Sequence, residues 1–137
     1  MDAITIPYSM TTTVDLPYDQ AVERTRAALG AEGFGVLTEI DVKTTLKTKL
    51  DADFRPYVIL GACNPPMAHR ALTAEPNIGL LLPCNVAVYA ADEEGKSIVS
   101  AVDPEVSLGR VGNDALVPLA AEVKARLRRV LDAVAAG

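Results

Sequence analysis

The chain has 137 residues, half of them hydrophobic, and a formal net charge of −5 from 18 acidic and 13 basic side chains. That length fits one domain, residues 1–137, with a single sizeable core. The acidic balance argues against a nucleic-acid partner, because binding to phosphates needs a concentrated basic face.

The N-terminal half alternates strand and helix patterns. Loosely alternating hydrophobic residues predict a strand over residues 4–14, and a stripe at helical spacing predicts a helix over residues 18–32. Gly33 is expected to end that helix in a left-handed conformation. A second strand is predicted over residues 34–40, followed by a short amphipathic helix that Asp41 caps.

The central stretch contains two short apolar runs, residues 57–63 and 84–90, which are typical of buried strands. Between them, Asn64 and Pro65 mark the start of a short helix that reaches about residue 73. Asn caps free backbone amides, and Pro fits the first turn, where its missing N–H costs nothing. This unit is therefore a strand, a helix and a strand.

The direction of the two central strands decides whether Cys63 and Cys84 meet. In an antiparallel pair whose residue numbers sum to about 147, the two cysteines lie opposite each other, about 5 Å apart at their Cα atoms. In a parallel pair they lie roughly 20 Å apart and their thiols cannot meet. The sequence leaves both arrangements open.

The C-terminal part predicts a hairpin and a long helix. A turn at residues 92–95 leads to a strand over residues 97–103, and residues 104–113 are interpreted as a flexible crossing loop. The last helix is predicted over residues 114–135, with its regular part starting near Val117. Without the short helices the order is β-α-β-β-β-β-α. This order predicts an α+β fold with an antiparallel sheet and two helices on one face, and it favours antiparallel central strands.

The sequence shows no sign of export or membrane insertion. The first ten residues lack the apolar segment of a signal peptide, and no run approaches the roughly 18 apolar residues that cross a bilayer. Two cysteines do not form a disulfide framework. We therefore expect a cytoplasmic protein with reduced thiols and no membrane partner.

One hypothesis is a thiol or metal site at the ends of the central strands. Cys63 would precede a helix N-terminus, where free amides and the helix dipole stabilise a thiolate. Together with Cys84 and His69 it would form a soft ligand set for zinc or copper, to which Met67 could add a thioether. Haem ligation by His69 or Cys63 is a further option, and the absence of any cofactor is equally compatible with the sequence.

A second hypothesis is a non-catalytic binding or interaction module in which both cysteines only pack. An apolar pocket between the sheet and the C-terminal helix would then hold a small-molecule ligand, with residues 80–82, Ile59 and Val88 in its wall. Asn64 would cap its helix, and Asn85 would tie a strand start to its neighbour.

A third hypothesis, acid–base catalysis by Asp92, Asp103 or Glu105, ranks last because these residues form no catalytic motif with the single histidine. Asp103 before Pro104 is better explained as a turn residue. The residues therefore favour binding over turnover.

Several segments together resemble a bacterial and archaeal family of unknown function, DUF302. They are VDLPYDQAVERTRAAL, GFGVLTEIDVKTTLKTKL, GACNPPMAHRAL, IGLLLPCNVAVY and the AVDP at residues 101–104. The resemblance implies a TATA-binding-protein-like fold with a curved antiparallel sheet, and a homodimer, but no activity. The family pattern maps onto Cys63, Asn64, Pro65, Cys84 and Asn85, and His69 also fits it. Our candidate ligand or redox site consists of Cys63, Asn64, His69, Cys84 and Asn85.

Overall fold

The structure is a computed structural model that describes residues 6–136, so residues 4 and 5 of the first predicted strand lie outside the described part. The strands are β1 (Ser9–Val14), β2 (Gly35–Asp41), β3 (Tyr57–Cys63), β4 (Cys84–Ala90) and β5 (Ser97–Val102). The α-helices are α1 (Tyr18–Ala31), α2 (Val42–Leu50), α3 (Pro65–Ala74), α4 (Pro104–Gly109) and α5 (Val117–Ala136). Single 3₁₀ segments, Pro76–Leu81 and Asp114–Leu116, precede β4 and α5.

The strands form one curved sheet in the order β1-β5-β4-β3-β2, and every neighbouring pair is antiparallel. Without the short helices the element order is β-α-β-β-β-β-α, so the predicted α+β fold class is confirmed. Between residues 6 and 136 no helix is both long and apolar enough to span a bilayer.

The core lies between one face of the sheet and the two long helices, α1 and α5, which pack against each other and against the sheet. In β3 the even-numbered residues Val58, Leu60 and Ala62 are buried, as the period of two in a strand requires. The buried residues of α5 recur at helical spacing along one face, and they are Leu119, Ala120, Val123, Leu127, Val130, Leu131 and Val134.

The predicted crossing loop at residues 104–113 is wrong in its first half, which forms α4. The Asp103 side chain accepts a hydrogen bond from the Glu105 amide at 3.0 Å, and Pro104 occupies the first helical position. This is the same start signal that Asn64 and Pro65 provide for α3. Lys124 of α5 holds Asp103 through a 2.9 Å ion pair, so the short helix is attached to the long one.

The predicted register of the central strands is wrong by one residue, although their antiparallel direction is confirmed. Cys84 pairs with Ala62 rather than with Cys63, and Tyr57 pairs with Tyr89. The two tyrosine rings stack with centroids 4.9 Å apart and planes 5° from parallel. Cross-strand aromatic pairs stabilise a register, whereas cysteine side chains that form no bond do not select one.

Gly61 of β3 is closely contacted by side chains of two neighbouring segments, Thr38 of β2 and Pro83 before β4. A Cβ atom at this position would overlap the Thr38 hydroxyl and would come within 2.8 Å of Pro83 Cγ. Thr38 follows an irregularity in the pairing of β2 with β3, between Val36 and Thr38. Glycine is therefore needed here for close packing of the sheet and not for a special backbone conformation.

We predict that Gly61→Ala lowers the free energy of unfolding by roughly 1–3 kcal/mol, because overpacking forces the neighbours apart. Gly30→Ala is the matched control, because Gly30 lies in α1 with no atom near the position of a Cβ. Alanine at this helical position should raise the free energy of unfolding by roughly 0.5–1 kcal/mol. Urea denaturation of both variants measures the effects. Equal effects of the two substitutions would contradict the crowding at Gly61, whereas added Thr38→Ala should recover part of the loss.

Candidate functional site

A cavity of about 290 Å³ lies where the ends of β3 and β4 meet α3, α4 and α5. Its wall is almost entirely apolar, with Asn64 and two thiols as the exceptions. The lining residues are Phe34, Leu37, Ala62, Cys63, Asn64, Met67, Ala68, Ala71, Leu72, Gly79, Leu82, Pro83, Cys84, Leu108, Leu119 and Val123. We call this space the thiol cavity.

Small side chains on facing elements create the thiol cavity. Ala62 comes from the sheet, Ala68 and Ala71 from α3, and Gly79 from the 3₁₀ segment before β4. Helix α3 packs through its buried residues Met67 and Ala71, which are four residues apart on one face of the helix. The exposed side chains of Leu37 and Leu72 lie at the opening.

Cys84 begins β4 on the helix-facing side of the sheet, where it is partly buried and its partner Ala62 is fully buried. Burial among apolar neighbours raises the pKa of its thiol from 9.0 to about 11, and the nearby Cys63 contributes to the rise. Both cysteines are free. The Cys84 side chain is therefore an uncharged thiol at neutral pH.

Cys63 lies at the end of β3 and, like Cys84, lines the thiol cavity. The α3 start beside it offers no free amide to a thiolate. Pro65 and Pro66 have no N–H, and the amide of Met67 donates to the Asn64 side chain at 3.3 Å. The next amide, of Ala68, donates to the Asn64 carbonyl at 2.9 Å. Amide stabilisation of a Cys63 thiolate, which the sequence suggested, is thus absent at this helix start.

The structure brings together three of the five candidate site residues: Cys63, Asn64 and Cys84 line one cavity. His69 does not line it and is exposed, because it lies on the side of α3 opposite Met67 and Ala71. Asn85 follows Cys84 in β4, so its side chain lies on the other face of the sheet.

Two of these placements bear on the predicted chemistry. No group of three His, Cys, Asp or Glu side chains within residues 6–136 is arranged to hold a metal ion. Metal binding by Cys63, His69 and Cys84 therefore stays a prediction. Asn85 makes no side-chain hydrogen bond within the same range, so the expected tie to a neighbouring strand is not formed there.

Sequence reasoning missed most of the cavity wall. Of the residues expected to line an apolar pocket, Leu82 does so, whereas Val88 is buried in the core. Leu108 was missed because α4 was interpreted as a loop, although the Asp103–Pro104 pair signals a helix start. Leu119 was missed because the pocket wall was assigned to strand residues and residues 80–82, whereas Leu119 is a buried residue of α5.

The second face of the sheet carries a groove of about 460 Å³ that is distinct from the thiol cavity. Side chains of Tyr8, Tyr57 and Tyr89 line it together with Asn85 and Ser100. The predicted pocket residues Leu80 and Leu81 also lie here, and Leu80 is 87% exposed. This face is thus more polar than the helix-covered face and carries exposed hydrophobic side chains at its margin.

Fold and site together define a small α+β domain with an antiparallel sheet and a ligand-sized apolar cavity at the ends of its central strands. The chain belongs to the family described as domain of unknown function DUF302, whose model matches residues 10–134. The crystal structure of an uncharacterized conserved DUF302 protein from Bacillus stearothermophilus is similar, with 34% sequence identity and a TM-score of 0.85. That match covers 94% of this chain and 99% of the other. None of the curated proteins matches this chain in sequence.

We predict that alkylation of Cys84 by iodoacetamide accelerates about tenfold per pH unit and levels off only near the thiol pKa of about 11. The physical reason is that the buried thiol ionises later than an ordinary one, so the reactive thiolate is scarce at neutral pH. The measurement uses the Cys63→Ser variant and mass spectrometry of the intact protein, with Cys84→Ser as the control. A plateau near pH 9 would contradict the buried environment of Cys84.

Proposed function

We propose that this protein binds a small apolar molecule in the thiol cavity and does not turn it over. The observation that carries the proposal is the cavity itself, whose wall is apolar over nearly its whole extent. Ligand pockets combine such walls with a few polar groups that orient the ligand, and Asn64 and the two thiols provide these groups.

The size of the space supports a ligand. Ligand pockets are clefts of roughly 300–1,000 Å³ lined mainly by apolar side chains. The thiol cavity, at about 290 Å³, lies close to the lower end of that range and has room for a molecule with several carbon atoms. An uncharged Cys84 thiol suits this environment, because it is compatible with an apolar ligand where a thiolate is not.

Thiol chemistry or metal binding through Cys63 and Cys84 is the second candidate function. Its support is that both thiols line the same cavity and that the nearby Cys63 contributes to the raised pKa of the Cys84 thiol. The raised pKa of Cys84 counts against it, because redox exchange and metal binding both use the thiolate. The two free cysteines suit a reducing compartment, and a cytoplasmic location is part of the proposal.

Filling the cavity tests ligand binding directly. We predict that Ala68→Leu, which projects a larger side chain into the cavity, weakens binding of the uncharged dye N-phenyl-1-naphthylamine about tenfold or more. Ala74→Leu is the control, since Ala74 lies on the same helix and is exposed. Fluorescence titration gives both affinities. If the dye binds equally to the two variants, or fails to bind the unmodified protein, the proposed cavity function is wrong.

We further propose that two copies of this chain associate through the region of residues 37–54. Helix α2 has no buried residue, although isolated helices shorter than about 12–15 residues are marginal in water. Four large hydrophobic side chains within this segment are exposed: Leu37, Ile40, Leu50 and Phe54. Patches of this kind mark interaction sites.

Charge complementarity favours a second copy as the occupant of this surface. Helix α2 carries Lys43, Lys47 and Lys49, whereas the turn between β4 and β5 carries Asp92, Glu93 and Glu94. In a two-fold symmetric dimer the same basic helix and acidic turn occur on both copies and pair reciprocally. No nucleic-acid or membrane partner is part of this proposal.

We predict that Leu50→Lys converts the dimer to a monomer without loss of fold, because Leu50 is 70% exposed and a cation suits a helix C-terminus. Val117→Lys is the matched control, because Val117 is 62% exposed on α5, away from this segment. Sedimentation equilibrium measures the mass of each variant, and circular dichroism checks the fold. A monomeric unmodified protein, or a dimeric Leu50→Lys variant, would refute this interface.

A further inference from the structure

The groove of about 460 Å³ on the second face of the sheet has a floor of small side chains. Asn85, Ala87 and Tyr89 alternate along β4 and line the groove from that strand. On the neighbouring strand Ser100 pairs with Ala87, so small residues form the middle of the floor. The paired rings of Tyr57 and Tyr89 stand at one end of it. We call this space the tyrosine groove.

Three of the four tyrosines of the chain line the tyrosine groove, namely Tyr8, Tyr57 and Tyr89. Burial raises the pKa of the Tyr57 phenol, and Tyr89 and Tyr8 add to the rise, so the three phenols lie near one another. The Tyr57 and Tyr89 rings are stacked with centroids 4.9 Å apart, and no third ring fits between them. These two side chains therefore offer a ligand their hydroxyl groups and ring edges.

Neutral polar groups on β1, β4 and β5 add to this lining. The hydroxyl of Thr11 is hydrogen-bonded to those of Ser9 and Ser100, both at 2.7 Å, and the two serines line the groove. Three hydroxyls carry three protons and the two hydrogen bonds use two, so one proton and several lone pairs remain for a ligand. The exposed Asn85 side chain makes no hydrogen bond within residues 6–136 and offers both donors and an acceptor.

The tyrosine groove offers no charge to a ligand. No side chain among residues 6–136 that lines it is charged, so an ion would give up its water there without a counter-charge in return. Apolar side chains complete the lining, among them Ala87 and the exposed Leu80 and Leu81. The groove thus combines apolar contacts with neutral groups that both donate and accept hydrogen bonds.

We infer that the tyrosine groove is a second binding site, independent of the thiol cavity, and that it takes an uncharged saccharide. Each sugar hydroxyl donates and accepts, as the serine and tyrosine hydroxyls of the groove do, and the C–H faces of a sugar ring match its apolar side chains. A flat aromatic ligand fits less well, because the rings of Tyr57 and Tyr89 are stacked on each other. The volume lies within the roughly 300–1,000 Å³ of ligand pockets and has room for a disaccharide.

Tyrosine fluorescence tests the inference, because the chain has no tryptophan and three of its four tyrosines line the groove. Maltose, cellobiose, lactose and N,N′-diacetylchitobiose are titrated into the full chain, and at least one of them should bind saturably. Sorbitol, a flexible open-chain polyol, should not. Asn85→Ala should weaken the binding about fivefold through the loss of one hydrogen bond. Asn77→Ala is the matched control, since Asn77 is exposed and does not line the groove, and it should leave the affinity unchanged.

Four results would overturn the saccharide site. They are no binding of any of the disaccharides, equal binding of sorbitol, equal effects of Asn85→Ala and Asn77→Ala with the fold of both intact by circular dichroism, and conversion of a dimer to a monomer by Leu80→Lys. The last would show that a second copy of the chain covers the groove. The bound disaccharide should not displace N-phenyl-1-naphthylamine from the thiol cavity, so failure of one site leaves the other standing.

Discussion

The register of β3 against β4 is the constraint on which the site depends, because a shift of one residue would move every side chain to the other face of the sheet. Tyr57 opposite Tyr89 brings Ala62 opposite Cys84, so both face the helices. The same register directs Asn85 to the second face. At Gly61 the absence of a side chain lets neighbouring segments pack closely enough to keep this pairing. The central strands therefore determine the chemistry of both faces.

The thiol cavity results from a packing compromise between these strands and α3. Helix α3 buries Met67 and Ala71, but the residues that face the sheet ends are too small to fill the space. The side chain of Leu108 closes the cavity from α4, which is attached to α5 through the Asp103–Lys124 ion pair. The size of this space and its apolar wall are what support the proposed ligand.

The sequence predicted the helices and strands well, because the spacing of hydrophobic residues and the capping residues of helices are local signals. Asp41 and Asn64, which cap the starts of α2 and α3, are examples. It predicted the register poorly because the two apolar runs were matched end to end, whereas the stacked pair of Tyr57 and Tyr89 favours a register one residue away. The exclusion of His69 from the cavity follows from its helical position relative to Met67, which is also local. By contrast, the approach of Arg126 to Gly33 joins distant parts of the chain, and no sequence pattern encodes it.

The start of α3 leaves no free backbone amide for an anion beside the cavity. Helix N-termini ordinarily bind anions through their first amides. Here two prolines remove the first two amides, and Asn64 occupies the third with its own oxygen. That hydrogen bond leaves the Asn64 amide nitrogen directed at Gly33, where the Arg126 guanidinium also lies. The cap that stabilises the helix therefore also orients the Asn64 amide group, and it occupies the amide on which a Cys63 thiolate would have depended.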